Sequence, residues 1–238
     1  VLTKSAEELA GQKTSVLEAA LSSGYDSHEG YTRAFSRFFG TAPSAYRREG
    51  RPIPLFVQYP VRSRYFHTLY EEDTRMENMM LCTATPVERP ARKLVFQRSR
   101  KAADYWTYCE EMGCEWEGLF NSIPQKFDTA AILELPESLW KEGFSKVAAG
   151  VEVPLDYSAP LPGGWEMAEL PACTMLYFQS EPFAGEEEFF QAIGGLLRAA
   201  ERYQPQRYGY EWAPEAAPSF NFGGNPEEGA KLAYPVKK

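Results

Sequence analysis

Tryptophan and tyrosine crowd residues 105–212 of this chain, among them Tyr105, Trp106, Tyr108, Trp116, Trp140, Trp165, Tyr177, Tyr208, Tyr210 and Trp212. Two glutamates stand in unusual company. Glu152 lies inside Val-Glu-Val-Pro, which reads as a strand interior, and Glu211 lies inside Tyr-Gly-Tyr-Glu-Trp. Aromatic faces with a carboxylate suit flat or cationic organic molecules, and a bound cation would offset the cost of desolvating the carboxylate. The same residues also fit plainer roles. Any one ring can be core packing, and Glu152 can point to solvent on the polar face of its strand. The candidate ligand-facing residues are Tyr105, Trp116, Phe120, Glu152, Tyr177, Tyr210, Glu211 and Trp212.

Other chemistries lack their residues. His28 and His67 are the only histidines, and Cys109-x4-Cys114 has no second Cys or His pair at zinc spacing. No GxxxxGK[ST], GxGxxG or GxSxG occurs, so no phosphate loop, dinucleotide fingerprint or nucleophile elbow is expected. No catalytic residue, metal or cofactor is assigned. Four cysteines are too sparse for a disulfide scaffold, no leader pattern opens the chain, and no apolar run of membrane-spanning length occurs. A reduced, cytoplasmic protein with no membrane contact is the expectation.

The net charge of −8 hides an asymmetry. Residues 27–51 hold five bases (Arg33, Arg37, Arg47, Arg48, Arg51) against two acids (Glu29, Glu49), whereas the remainder is acidic. A short basic stretch on an acidic body suits contact with nucleic acid. The elements that would present it are short helices. Thr3 is expected to cap a helix through Ala10, and Thr14 one ending at Gly24, with Val16, Leu17, Ala20 and Leu21 on one face. Asp26 is expected to cap a third, 27–39, with an apolar stripe of Tyr31, Ala34, Phe35 and Phe38. Its other face carries His28, Glu29, Thr32, Arg33, Ser36 and Arg37. Gly40 stops it and Pro43 opens a last turn. Two such helices around a Gly-Tyr-Asp turn describe a helix-turn-helix.

The run GYDSHEGYTRAFSRFFGTAPSAYR, Gly24–Arg47, closely resembles the second helix-turn-helix of AraC-type transcription regulators. The preceding LTKSAEEL resembles that family's linker helix. The resemblance implies that the helix from Ser27 enters a major groove, with His28, Thr32 and Arg33 near bases and Arg37 and Arg47 near phosphates. Double-stranded DNA is the implied partner. The family pairs two such units and this chain starts after the first would end, so weak DNA binding is expected of this form.

Prolines at Arg51-Pro-Ile-Pro54 mark a boundary, giving expected domains of 1–50 and 51–238. Beyond it the chain repeats with an offset of 81: Glu88-Arg-Pro-Ala91 returns as Glu169-Leu-Pro-Ala172, and Pro154 as Pro235. The first copy is expected as strands at 81–89 continuing at 93–98, helix over 102–122 interrupted at Gly113, then strands at 130–135 and 146–153. The second is expected as strands at 167–170 continuing at 174–179, helix 185–203, then strands at 219–222 and 231–236. The fold class is therefore α+β: a partial all-α helix-turn-helix followed by a duplicated β-α-β-β domain with a central cleft.

That element order, with Gly150–Pro154, Glu169–Ala172 and Ala233–Lys237, resembles the GyrI-like effector-binding domain. The resemblance implies paired motifs around a hydrophobic cleft, often attached to an AraC-type reader. It also implies a glutamate in the strand before the last, where this chain has Asn221, which joins the ligand-facing candidates. The combined expectation is a ligand-responsive transcription regulator taking a small aromatic or cationic effector, with homodimerisation an additional expectation. The Arg51–Pro54 link and residues 55–70 would connect the two parts. A hydrolase or a sequestering protein for reactive small molecules is the alternative.

Overall fold

The protein is described from a computed structural model over residues 1–11, 14–25, 27–55 and 81–238. It is a mixed α+β chain whose strands pair antiparallel. Four helices open it: α1 Leu2–Ala10, α2 Val16–Ser22, α3 His28–Phe39 and α4 Pro43–Glu49. Then follow β1 Cys82–Arg89, β2 Arg92–Arg98, α5 Tyr105–Met112, α6 Trp116–Asn121, β3 Ala131–Glu134 and β4 Val147–Pro154. The chain closes with β5 Trp165–Leu170, β6 Cys173–Ser180, α7 Glu186–Arg202, β7 Glu211–Trp212, β8 Ser219–Asn225 and β9 Gly229–Lys237.

Caps set the first helices, though one residue away from where the sequence points. Ser15, not Thr14, caps α2: its hydroxyl accepts from Glu18 N while the Glu18 carboxylate accepts from Ser15 N. This reciprocal pair satisfies two otherwise orphaned amides. Ser27 caps α3 through Gly30 N, whereas Asp26 lies outside the described residues. Thr3, expected to cap α1, lies inside its first turn instead: the helix starts at Leu2 with Val1 at the cap position, and no side chain caps it among the described residues. Gly40 and Gly50 end α3 and α4 with φ of 70° and 61°, a conformation open to glycine at little cost. Replacing Ser27 with alanine should cost about 1 kcal/mol and lower the thermal midpoint by a few degrees in a calorimetric scan.

The helical region buries Ala6, Leu9, Ala19, Ala20, Tyr31, Phe35, Phe39 and Tyr46 in one cluster that extends to Ile53 and Leu55. This corrects the expected stripes. Phe39, four residues after Phe35, is in the core, while Phe38 is 57% exposed, and Leu17 and Leu21 are exposed as well. Two adjacent phenylalanines cannot share one helical face, and it is Phe39 that meets Phe35, which in turn meets Tyr46 of α4.

The chain divides into two compact units, one containing residues 1–55 and 90–172, the other 81–89 and 173–238. In the first, strands run in the order β5-β2-β4-β3. Val95, Ile132, Val147, Ala149, Val151 and Val153 turn one sheet face towards Tyr108, Trp116 and Phe120 of the two short helices. In the second the order is β1-β6-β9-β8, with β7 also on β9. Leu176, Phe178, Leu232 and Val236 there meet Ala192, Leu196 and Ala200 of α7. The element positions follow the expected ones within a few residues, and β7 adds a short strand that the sequence pattern did not announce.

Strand partners differ from the simple repeat. β1 does not pair with β2; it pairs with β6 throughout Cys82–Arg89, while β5 pairs with β2. The chain changes unit after Arg89 and again after Ala172, so both changes fall within or directly after the two Glu-x-Pro-Ala segments. Proline has no amide hydrogen to lend to a ladder, which suits Pro90 and Pro171 to points where one pairing stops and another begins.

Candidate functional site

On α3 the candidate DNA-contacting residues divide by exposure. His28, Arg33 and Arg37 are exposed, and Thr32 is half-buried. The Thr32 hydroxyl is buried and makes no hydrogen bond among the described residues, so what Thr32 offers to solvent is not its hydroxyl. Arg47, on α4, is half-buried. With Tyr31, Phe35 and Phe39 anchored in the core, His28, Arg33 and Arg37 are left on the outer surface of one rigid helix.

The layer carrying α3 is fastened to the rest of its unit by buried polar contacts. Tyr46 Oη donates to Ser122 O at 2.6 Å, Ile53 N donates to Ser122 Oγ at 2.8 Å, and Tyr157 Oη donates to Gly50 O at 3.3 Å. Burial raises the pKa of both phenols, that of Tyr157 to about 12, so each remains a donor across the physiological range. Gly118 of α6 passes so close to the 51–55 segment that a Cβ there would lie 2.2 Å from Leu55 O. The sequence reading singled out none of these contacts except as members of helices. Serine and glycine in a loop or a short helix carry no pattern that distinguishes contact from solvent.

The ligand-facing candidates fall into several groups. Tyr105, Trp116 and Phe120 come together in the first unit. Tyr105 meets Trp116 edge-on at 6.2 Å, Tyr108 meets Trp116 at 5.9 Å, and Phe120 stacks on Trp165 at 3.9 Å. Trp116 is 4% exposed and its indole N–H has no acceptor among the described residues. A buried donor without a partner carries a desolvation cost that an acceptor on a guest would relieve.

Glu152 is elsewhere. Val151 and Val153 face the helices, so strand alternation puts Glu152 on the opposite side of β4. There it is only 5% exposed and its Oε1 accepts from Arg92 Nε at 2.6 Å. Arg92 is wholly buried, and its Nη1 donates to Pro171 O at 2.8 Å and to Pro90 O at 3.3 Å. One guanidinium thus ties β4 to both segments where the chain changes unit. The carboxylate that looked available to a cationic guest already has a cation. A buried arginine two residues past Pro90 was the missed residue, and the repeat could have pointed to it: Arg92 aligns with Cys173 at the offset of 81, so the ion pair has no counterpart in the second copy.

In the second unit, Tyr177 lies on the sheet face away from α7, since its neighbours Leu176 and Phe178 pack under that helix. It stacks on Phe222 at 5.9 Å, and the Arg89 guanidinium sits 5.3 Å above its ring and also donates to its hydroxyl. Tyr210 and Trp212 belong to the other face, where Trp212 meets Tyr234 at 5.8 Å. Glu211 is exposed, opposite Lys237 in the β7–β9 ladder. Asn221 serves the backbone: its Oδ1 accepts from Gly223 N at 3.0 Å where β8 slips register against β9 and Gly223 takes a φ of 69°. The structure therefore brings three of the candidates together in one unit and sets Glu152 apart, and it divides Tyr177 from Tyr210 and Trp212.

Two further features bear on chemistry. Burial and the adjacent Cys109 push the Cys114 thiol up to about 12, so it carries little thiolate at neutral pH. Among the described residues no cluster of His, Cys, Asp or Glu is arranged to hold a metal, and no helix is long and apolar enough to cross a membrane.

No protein-family model matches the chain, and no curated protein is similar to it at a meaningful level. Solved structures are more informative about what it is similar to. A cryo-EM structure of an EcmrR–DNA complex in EcmrR-RPo aligns with 74% of this chain at 17% identity and a TM-score of 0.40. The aligned part spans 64% of that protein's length. The EcmrR C-terminal domain aligns over 67% of this chain and 99% of its own, at 14% identity and a TM-score of 0.42. SAV2435 bound to tetraphenylphosphonium aligns over 65% of this chain and 94% of its own, at 16% identity and a TM-score of 0.42. At that level of likeness no residue role passes from those proteins to this chain.

Proposed function

We propose that the protein is a ligand-responsive transcription regulator in which α2 and α3 act as a helix-turn-helix on double-stranded DNA and a small aromatic effector modulates that contact. The observation that carries the reading is the fastening of the α3–α4 layer to α6. Ser122 directly follows α6, accepts from both Tyr46 and Ile53, and lies two residues beyond Phe120 in the aromatic cluster. A guest that moved Trp116 or Phe120 would move α6, and with it the groups holding the reader. Coupling of this kind needs a physical element that both sites bias, and the six-residue helix α6, bonded at its end, supplies one.

The aromatic character of the effector has support in the Tyr105, Trp116 and Phe120 cluster. A preference for cations loses the support of Glu152, which Arg92 neutralises. On DNA, Arg33 and Arg37 supply positive charge and hydrogen-bond donors, and His28 begins the helix at the end that meets base edges in this type of docking.

The test is fluorescence anisotropy of the full chain on labelled duplexes selected from a random pool, with and without aromatic ligands. Arg33→Ala should weaken the selected site by about 1–3 kcal/mol while leaving random-sequence binding nearly unchanged, as expected of a base contact. Arg37→Ala should weaken both equally and reduce the salt dependence by about one phosphate contact. Failure to select any sequence would remove the reading.

A further inference from the structure

A cavity of about 480 Å³ opens in the first unit where the end of β2, the start of β5, the end of α5 and the loop before β4 meet. Its size falls within the range of small-molecule sites. Met112 and Trp165 contribute apolar lining, and Trp165 is held by its stack on Phe120. The two carboxylates in the lining are already engaged. Glu166 accepts from Arg98 Nε at 2.8 Å. Glu111 accepts from the backbone amides of Arg100, Lys101 and Ala102 at 2.6, 2.9 and 3.2 Å. Burial acts to raise the Glu111 pKa, yet those three amides hold it below the usual carboxylate value. Arg98 is engaged in turn, by Glu166 and by Leu139 O.

Two cations in the lining are not engaged in this way. The Arg100 guanidinium carbon lies 5.5 Å and Lys141 Nζ lies 5.1 Å from the centroid of the Phe144 ring. Neither makes an ion pair among the described residues. Like charges gathered at one ring repel each other, and an anion placed between them removes that repulsion. A second hollow of about 420 Å³ shares Lys141 and Phe144 but not Arg100, so only the first cavity meets both cations.

We propose that this cavity is the seat of an organic anion with an aromatic body, such as an arene carboxylate. Its charge meets Arg100 and Lys141, and its ring lies against Phe144, Met112 and Trp165. The same arrangement disfavours a lipophilic cation of equal shape. Placing the effector here rests on the regulator reading, and the Trp165–Phe120 stack joins the seat to α6. Binding itself does not depend on that reading.

The experiment is isothermal titration of the full chain with 2-naphthoate and with its cationic counterpart 2-naphthylmethylammonium. The expected result is that the anion binds about tenfold or more tightly than the cation, and that Arg100→Gln with Lys141→Gln weakens the anion by about tenfold. The affinity should also fall as sodium chloride is raised, because both cations are exposed. Equal affinity for the two ligands, no loss in the double variant, or no binding of 2-naphthoate at millimolar concentration overturns the proposal. Circular dichroism of the double variant separates lost binding from lost structure, and Trp140→Phe, in the second hollow, is a control that should leave affinity nearly unchanged. Binding that is intact but leaves DNA affinity unaltered would keep the seat and remove the regulator reading, so the two can fail separately.

Discussion

Glu152→Ala should lower the free energy of unfolding by about 3–5 kcal/mol, read from the shift of a urea transition at unchanged slope. The argument rests on where the remaining charge is left. Arg92 is wholly buried, and without the Glu152 carboxylate at 2.6 Å it would keep its charge while losing this counter-ion. An arginine does not escape by deprotonating. The guanidinium would also be less firmly positioned for Pro90 O and Pro171 O, loosening both places where the chain changes unit. Replacing the pair together, Arg92→Met with Glu152→Leu, should recover most of the loss, since two apolar side chains of similar size need no pairing. If the single variant were as stable as the parent, the ion pair would not hold these segments. If the double variant were as unstable as the single, the carbonyl contacts of Arg92 rather than its charge would be what matters.

Gly118→Ala should have the second large effect, a loss of about 2–4 kcal/mol, composed of overpacking and of neighbouring hydrogen bonds pulled apart. The added methyl would lie 2.2 Å from Leu55 O and 3.0 Å from Leu55 C, and both are backbone atoms that cannot rotate away. Either α6 or the 51–55 segment must retreat, and the Ile53–Ser122 and Tyr46–Ser122 bonds lie directly beside the contact. Trypsin cleavage after the exposed Arg48, near the end of α4, should then accelerate in the native protein, while far-ultraviolet circular dichroism keeps its strand signal. If α6 is the coupling element, the same variant should bind DNA without responding to ligand. An unchanged cleavage rate and an unchanged urea midpoint together would show that the contact is relieved at no cost.

Much of the scaffold was legible because local rules suffice for it. Gly24 and Gly40 mark ends of helices by backbone conformation alone, and alternation and helical periodicity place most strands and α7 within a few residues. Caps were legible in kind but misplaced. Thr14 and Ser15 are equally good caps, and only Glu18, three residues after Ser15, closes the reciprocal pair. The apolar stripe of α3 failed at Phe38 and Phe39 because helical periodicity tolerates either one.

The candidate site was less legible, for a different reason. A strand glutamate looks the same in sequence whether it meets a guest or an arginine sixty residues away, and the register that brings Arg92 to Glu152 is a property of the assembled sheet. The cations at Phe144 escaped notice likewise, since Arg100 and Lys141 lie far apart along the chain and only folding brings them to one ring. The segment 55–70, expected to link the two parts, lies mostly outside the described residues.

What the amino-acid order determined on its own was the supply of parts: short capped helices with a basic outer face, two stretches of strand and helix marked by Glu-x-Pro-Ala, and a wealth of rings. Those are local matters of backbone conformation and side-chain periodicity. Which ring is core, which carboxylate is neutralised and which cations gather at one ring were decided only when distant strands and loops met. Burial and ion pairing depend on distance in space, and one dimension of sequence does not contain it.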